Sequence, residues 1–316
     1  MHRRRPGIDG RRRSGLKRTM AFQLEAGETL AAGLGRIAAE EIERARISLL
    51  PPTDPEAGVL EARKSLKKVR SILRLSRAPL GKRRFRDENQ RYRDLARRLA
   101  EQRAGTVRVE ALDGLAQSMD GQAPRQELQA SRRRLVPRRR RYGDQGVRAE
   151  VADALTEARL GIDAIALQGF KAVRPGLART YRTGRKRMRE AIEKPSMAAF
   201  HDWRKRVKDL WYHMRVFGPA RPEKLRPFAD ELHLLSDYLG DAHDLDLVEA
   251  ALHEEARADP LFDPAPLLFF LYEARAAKRG AAIALGRRIY AEKPDRFVAR
   301  VEKYWRTWGD TRPSAG

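Results

Sequence analysis

The amino-acid sequence predicts an all-α fold, and three observations support that prediction. Apolar residues recur at spacings of three and four along most of the chain, which is the period of an amphipathic helix. Prolines separate these segments, several of them near first-turn positions where a helix tolerates proline. Runs that alternate between apolar and polar residues, as half-buried strands require, are nearly missing. The pattern therefore indicates a helical bundle.

The first part of the chain contains three predicted helices. Residues 29–47, 57–77 and 85–103 each place apolar side chains on one side of a helix. The sequence PPTDP at 51–55 ends the first helix, and APLGK at 78–82 ends the second, because proline and glycine interrupt helical hydrogen bonding.

An irregular segment rich in arginine, SRRRLVPRRRRYGDQG, precedes the second part of the chain. Its arginine run at 132–141 is either a tethering arm for a polyanion or a charged, disordered linker. Seven predicted helices follow, at 147–170, 175–193, 197–217, 222–239, 243–257, 265–290 and 295–308. The predicted organisation is a basic, disordered leader at 1–20, a first half at about 21–120, a connection at about 121–146, a second half at about 147–308 and a tail at 309–316.

The chain carries a large excess of positive charge. Its 316 residues include 67 Lys and Arg against 43 Asp and Glu, a formal net charge of +24. Such an excess repels itself in a compact fold, and polyphosphate, nucleic acid or acidic lipid would relieve that repulsion. We therefore expect a polyanionic partner.

Composition also excludes several classes of protein. Cysteine is absent, which excludes disulfides, thiolate metal ligands and cysteine nucleophiles and fits a cytoplasmic location. No apolar run approaches the roughly 20 residues that span a bilayer, so we expect no membrane span. The basic N-terminus lacks the apolar segment of a secretory signal. It is either a disordered arm or an extension upstream of a start at Met20.

An internal repeat relates the two halves. VLEARKSLKKVRSILRLSR, from Val59, aligns without a gap with FHDWRKRVKDLWYHMRVFG, from Phe200. The alignment pairs four cations, which are Arg63 with Arg204, Lys64 with Lys205, Lys67 with Lys208 and Arg74 with Arg215. Apolar positions also pair, which are Val59 with Phe200, Ala62 with Trp203, Leu66 with Val207, Val69 with Leu210 and Leu73 with Met214.

Each repeated segment predicts a helix with two different faces. The paired apolar positions form one buried stripe, because they step by three and four. His201, Arg204, Lys208 and Arg215 step likewise along another face. A basic face is often only a solvated face, but its recurrence in two halves favours two cationic faces that converge on one groove.

A second repeated element lies about 140 residues apart in the two halves. LAEQRA at 99–104 corresponds to LGDAHD at 239–244. We interpret both as turns that end a helix and project a basic residue, Arg103 in the first and His243 in the second.

These residues resemble the conserved-histidine α-helical domain, or CHAD, family. The resemblance rests on the H-x-x-R-K-x-x-K pattern at His201, Arg204, Lys205 and Lys208, on its partial copy in the first half, and on LGDAHDLD at 239–246. TYRTGRKRM at 180–188 and LGRRIYAEKPDRF at 285–297 are also similar to family segments. The similarity runs from about Phe22 to Trp308.

The resemblance implies a fold and a function. The fold would be two pseudo-symmetric helical-bundle halves of about four helices each, forming one domain with a basic central groove or pore. The function would be binding of inorganic polyphosphate, with some members associated with polyphosphate granules and some fused to a triphosphate-tunnel domain. The first-half histidine position is Leu60, and the first-half turn has Arg103-Ala104, so a symmetric two-histidine site is not expected.

Polyphosphate requires many cations along a track, because it is a flexible chain with about one negative charge per internal phosphate. Arginine offers a planar fork for two oxygens and lysine a mobile point charge. The predicted ligands are Arg63, Lys67, Arg70, Arg74, Arg204, Lys205, Lys208 and Arg215, with Lys64, Arg182, Arg185, Lys186 and Arg189 as secondary choices. We predict no catalytic residue, metal or cofactor.

The two histidines could donate neutral hydrogen bonds to phosphate or become charged beside it. His201 and His243 are therefore predicted polyphosphate ligands, against the alternative of structural histidines. Three carboxylates cannot bind phosphate, so we expect them to orient His243 or nearby arginines or to cap a helix; they are Asp241, Asp244 and Asp246. The four tryptophans are interpreted as core residues because of their helical spacing.

Two other functions remain open from the sequence. His201-Asp202 and His243-Asp244 are similar to the ligand pairs of metal-dependent phosphohydrolases, although neighbouring cations would oppose a divalent metal. Nonspecific nucleic-acid binding would follow from phosphate attraction alone. We find no helix-turn-helix pattern, zinc finger or exposed aromatic track that would read bases.

Overall fold

The computed structural model describes residues 22–50, 54–100, 131, 133, 145–159 and 169–310. The described residues form helices and their connections, with no strand among them, which confirms the all-α prediction. The arginine run at 132–141, the leader, the tail and the predicted turn at 99–104 lie wholly or mostly outside this part of the chain. No helix in it is long and apolar enough to cross a bilayer.

Ten α-helices are described, together with a short 3-10 helix at Gly218–Ala220. They are α1 (Leu30–Leu49), α2 (Pro55–Leu75), the single turn α3 (Arg77–Leu80), α4 (Lys82–Arg98), α5 (Gln145–Arg159), α6 (Gly169–Glu193), α7 (Met197–Phe217), α8 (Pro222–Ala258), α9 (Ala265–Ile289) and α10 (Pro294–Asp310).

Side-chain caps fix the starts of the helices that matter most for the site. The Asp54 carboxylate accepts hydrogen bonds from the backbone N–H groups of Glu56 and Ala57 at the start of α2. The Ser196 hydroxyl accepts one from the N–H of Ala199 at the start of α7. Such caps satisfy backbone donors that have no partner within the helix. The bounds predicted for α7, 197–217, match the structure.

The predicted break between 239 and 243 is wrong. Residues Pro222–Ala258 form one continuous helix, α8, and LGDAHD lies within it. Leu239, Ala242 and Leu245 are buried at helical spacing, so packing continues across the segment. Glycine in a helix costs only about 1 kcal/mol, which this burial offsets.

Proline also misled the prediction at the start of α6. The helix begins at Gly169 rather than near 175, and Pro175 lies inside it. Pro175 is the seventh residue of α6, so its missing N–H removes one backbone hydrogen bond, to the carbonyl of Lys171, and the helix continues through it.

One large core joins most of the helices. In the first part of the chain, α1 packs on α2 and α5, and α2 packs on α4. In the second part, α7 packs between α6 and α8, and α10 packs on α6. Because α5 packs on α1, it lies with the helices of the first half.

A separate small core holds the far ends of α8 and α9 together as a two-helix arm. Its buried members are Leu245, Val248, Ala251, Leu252, Leu267 and Leu271. Two acidic residues of LGDAHDLD connect α8 to α9 here: Asp246 accepts hydrogen bonds from Arg275 at 3.0 Å and Arg279 at 2.9 Å. Asp241 accepts one from Lys278 at 2.8 Å. They join α8 to α9 and do not cap a helix.

The two repeated helices, α2 and α7, contact each other directly. His213 Nε2 of α7 lies 3.0 Å from the Ser71 carbonyl oxygen of α2. The Ser71 hydroxyl in turn donates to the backbone carbonyl of Asp209 at 3.3 Å. The paired apolar stripes of both helices are buried, as the repeat predicted. Burial of those stripes leaves the basic faces beside each other.

Candidate functional site

A cleft of about 570 Å³ lies between α2, α4 and α7, and we term it the cationic cleft. Nine Lys and Arg side chains line it against two carboxylates. Its lining residues are Arg63, Lys67, Arg70, Arg74, Arg93, His201, Asp202, Arg204, Lys205, Arg206, Lys208, Asp209 and Tyr212. The arrangement is suited to a ligand with several negative charges.

Helical spacing explains how α2 and α7 fill this cleft. The α2 residues Arg63, Lys67, Arg70 and Arg74 are separated by four, three and four positions, so they share one face. On α7 the same spacing relates His201, Arg204 or Lys205, and Lys208. The structure thus brings eight of the predicted ligands together.

Burial lowers the pKa values of several cationic side chains in the cleft. Desolvation, followed by the nearby charge of Arg74, lowers the pKa of Arg70 to about 10. Desolvation, followed by the charge of Arg204, lowers the pKa of Lys208 to about 8. Desolvation also lowers the pKa of Arg74. Desolvation is the largest cause of each shift, so a bound anion would stabilise the charged forms of these side chains.

Helix α8 holds Arg204 in place through Ser236 and Gly240. The Arg204 Nε–H donates to the Ser236 carbonyl oxygen at 3.2 Å. A methyl group at Gly240 would lie only 2.7 Å from Arg204 Nη2, so glycine leaves the room that the guanidinium occupies. This close approach accounts for the glycine that the sequence pattern suggested was part of a turn.

The rings of the two predicted histidines contact each other, and His201 lines the cleft. The ring centroids of His201 and His243 are 4.4 Å apart. Desolvation and the charge of Lys205 lower the pKa of His201 to about 4. Desolvation and the charge of Arg204 lower the pKa of His243. Both rings are therefore neutral at pH 7, and His243 lies behind His201 rather than in the cleft lining.

The remaining predicted ligands do not line the cleft. Lys64 is exposed, with its Nζ 3.7 Å from a Glu61 oxygen. Arg215 lines a different cavity of about 280 Å³, where its guanidinium lies over the rings of Phe22 and Trp211. The α6 cations also lie outside the lining, and they are Arg182, Arg185, Lys186 and Arg189.

The sequence interpretation missed three residues that line the cleft as donors, Arg93, Arg206 and Tyr212. Arg93 lies on α4, which reaches the cleft only through tertiary packing, so no spacing within α2 or α7 indicates it. Arg206 follows two predicted cations directly, and its charge was a usable signal. Arg206 and Arg74 also line an adjoining cavity of about 300 Å³ with Arg77 and Arg179.

The tryptophans lie where the sequence placed them. Trp203 is fully buried, and Trp211, Trp305 and Trp308 are partly buried against the same core. Over the part of the chain that the structure describes, no group of three or more His, Asp or Glu side chains is arranged to hold a metal ion.

The family model described as CHAD domain matches residues 29–253 of this chain. The chain belongs to the CHAD family. The crystal structure of the CHAD domain from the plant Ricinus communis is similar, with a TM-score of 0.51 and 20% sequence identity over 90% of this chain and 95% of that chain. No curated protein matches the chain. Helices α9 and α10 of this CHAD protein lie beyond the residues that the family model matches.

Proposed function

We propose that this CHAD protein binds inorganic polyphosphate in the cationic cleft and catalyses no reaction on it. The observation that carries the proposal is that nine cationic side chains line the cleft against only two carboxylates. Burial in this cleft also lowers the pKa values of Arg70 and Lys208. An anion with many charges on a flexible backbone gains contacts along both helices. Binding would also bring the protein to polyphosphate granules wherever these form.

Different cations would have different roles. Arg63 and Lys67 line the cleft from α2 and Lys205 lines it from α7, so a chain between the two helices would meet charge from both. Arg204 is fixed by Ser236 and offers a preset fork for two oxygens. Neutral His201 can donate a hydrogen bond without adding charge.

Neutralisation of the cleft tests the proposal. The triple variant Arg63→Gln, Lys67→Gln, Lys205→Gln should weaken binding of long-chain polyphosphate on the order of 100-fold, at roughly 1 kcal/mol for each exposed contact. The matched control removes three cations from α6, with Arg182→Gln, Lys186→Gln and Arg189→Gln. Titration calorimetry should show little change for the control, with circular dichroism unchanged for both.

Equal losses in the two triple variants would contradict the proposal, because the cleft would then contribute no more than general surface charge. A second signature is the salt dependence of the affinity. The plot of log Kd against log salt concentration should be flatter for the cleft variant, since fewer contacts release ions.

Nucleic acid is the second candidate, because its phosphates would meet the same cations. The cleft lining contains one aromatic residue besides histidine, Tyr212, and so offers little for base stacking. Competition distinguishes the two ligands: polyphosphate should displace tRNA and duplex DNA at equal phosphate concentration and physiological salt. The reverse order would favour nucleic acid.

An enzymatic role has its own test. A phosphohydrolase would release orthophosphate from polyphosphate in the presence of a divalent metal and lose that activity in His243→Ala. We expect no release above the rate without protein.

A further inference from the structure

The floor of the cationic cleft contains a carboxylate that the proposed function does not use. The Asp209 Oδ1 accepts a hydrogen bond from Arg74 Nη1 at 3.1 Å, and Asp209 Oδ2 lies 3.0 Å from Arg206 Nη1. The contact with Arg206 lacks hydrogen-bond geometry, and within the described residues Oδ2 accepts no hydrogen bond. The Asp209 carboxylate therefore has one hydrogen bond from Arg74 and only a close ionic contact with Arg206.

The cleft floor, which comprises Arg70, Arg74, Arg206 and Asp209, keeps a local excess of positive charge. Three guanidinium groups are present with one carboxylate. The Asp209 side chain is only 8% exposed, and that of Arg74 is 17% exposed. Because water screens these charges poorly, each charge on the floor strongly affects the others.

The rim of the cleft differs from the floor in exposure. Asp202 and Lys205 form an ion pair at 3.0 Å, with side chains 45% and 49% exposed. Water and salt screen charges at such positions. Lys67 of α2 is exposed as well, so a long phosphate chain along the rim would meet cations of both helices. A short chain gains most on the floor, where the cations are dense and poorly screened.

We propose that the Asp209 carboxylate, which lies against Arg74 and Arg206 on the cleft floor, makes the cleft select long polyphosphate chains over short ones. This inference rests on the proposed polyphosphate binding. A short chain must displace Asp209 or bind beside its negative charge, and it loses affinity either way. A long chain draws its affinity from many rim contacts, so Asp209 weakens its binding little.

The decisive measurement compares tripolyphosphate and long-chain polyphosphate as probes for wild type and Asp209→Asn. Removal of the charge should tighten tripolyphosphate binding about tenfold and long-chain binding much less. The matched control is Asp202→Asn, which removes a carboxylate from the rim of the same helix. It should change both affinities by less than about threefold, because its charge is screened.

Three results would overturn the inference. They are unchanged or weaker tripolyphosphate binding by a folded Asp209→Asn variant, equal tightening by Asp202→Asn, and equal tightening for both chain lengths. Wild type that binds neither probe would instead contradict the proposed function. Wild type that binds long chains, with no effect of Asp209→Asn, would contradict only the selectivity.

A second comparison applies if Asp209→Asn leaves Arg74 and Arg206 repelling each other and the variant does not fold. Arg206→Gln alone should weaken tripolyphosphate binding, because it removes a cation and keeps Asp209. The double variant Asp209→Asn, Arg206→Gln should bind this probe about tenfold more tightly than Arg206→Gln. Equal affinity of the two would overturn the inference.

Discussion

At the scale of single residues, His213 shows how the junction of α2 and α7 limits the conditions under which the cleft exists. The ring is fully buried, and its Nε2 contacts the Ser71 carbonyl oxygen. Desolvation lowers the pKa of His213 to about 4. Its neutral form can donate the proton on Nε2 to Ser71, so the contact requires no charge. Protonation of the ring would place a charge between the two repeated helices.

This burial predicts a loss of stability in acid. The unfolded histidine has a pKa of about 6.5, so between pH 6.5 and about 4 the unfolded chain binds more protons than the folded one. The contribution of His213 is complete above that window and is lost as pH falls through it. From pH 7 to pH 5 the free energy of unfolding should fall by about 2 kcal/mol through His213 alone.

His213→Gln isolates this effect, because glutamine keeps an N–H donor for Ser71 and cannot be protonated in this range. Urea unfolding at pH 7 and pH 5 should show a smaller decrease for the variant than for wild type. His201 and His243 contribute to both proteins and cancel in the comparison. The same decrease in both would place the acid sensitivity elsewhere.

At the scale of helices, the position of α6 against the end of α2 depends on Gly176. A methyl group at this position would lie 2.1 Å from the Leu75 carbonyl oxygen and 2.8 Å from that of Arg74. Backbone atoms at a helix end cannot move away as a flexible side chain can. Because Arg74 lines the cleft, the close approach of α6 also helps to define where the cleft ends.

Two glycine substitutions with opposite expected signs test this packing. Gly176→Ala should destabilise the protein by about 1–3 kcal/mol through overpacking. Gly280→Ala on α9 meets nothing within 4 Å and should stabilise it by up to about 1 kcal/mol, because alanine favours the helix. Urea unfolding at neutral pH measures both. Stabilisation by Gly176→Ala would show that α6 can move away without cost.

Much of this helical arrangement could be predicted from sequence, for reasons that particular residues show. The apolar stripe from Phe200 to Met214 is a local signal, so α7 was predicted correctly. Gly240 is a local signal too, but its cause is the guanidinium of Arg204 from another helix. Contacts between helices of this kind have no period in the sequence, and the same applies to Arg93.

The predicted ligand Arg215 illustrates a different limit. It lies 11 residues after Arg204, which is close to three full turns, so its rotational position was right. Along the helix axis, however, 11 residues span about 16 Å. The cationic cleft ends before that distance, and Arg215 reaches another cavity. A helical face predicts direction but not the extent of a site.

At the scale of the whole molecule, positive charge is unevenly distributed. Residues 228–274, which include most of the arm, hold 12 Asp and Glu against one Arg. The other residues hold 31 Asp and Glu against 66 Lys and Arg. The net charge of +24 therefore understates the excess outside this acidic segment. Ion pairs such as Asp246 with Arg279 use part of the acidic charge to hold α9.

This distribution predicts how salt affects the protein without ligand. Repulsion among the cleft cations opposes folding, and sodium chloride screens it, with a Debye length of about 10 Å at 0.1 M. The melting temperature of wild type should therefore rise between low and moderate sodium chloride. The triple variant Arg63→Gln, Lys67→Gln, Lys205→Gln should melt higher than wild type at low salt and gain less from added salt, because less repulsion remains to be screened.

Saturating polyphosphate should reverse the trend in wild type. The bound anion neutralises the cleft, so added salt then weakens an attraction and the stabilisation by the ligand decreases. Scanning calorimetry across a sodium chloride series, with and without polyphosphate, measures both slopes. A melting temperature that falls with salt in the unliganded protein would mean that ion pairs outweigh repulsion. The cleft would then have no unbalanced positive charge for a polyanion to neutralise.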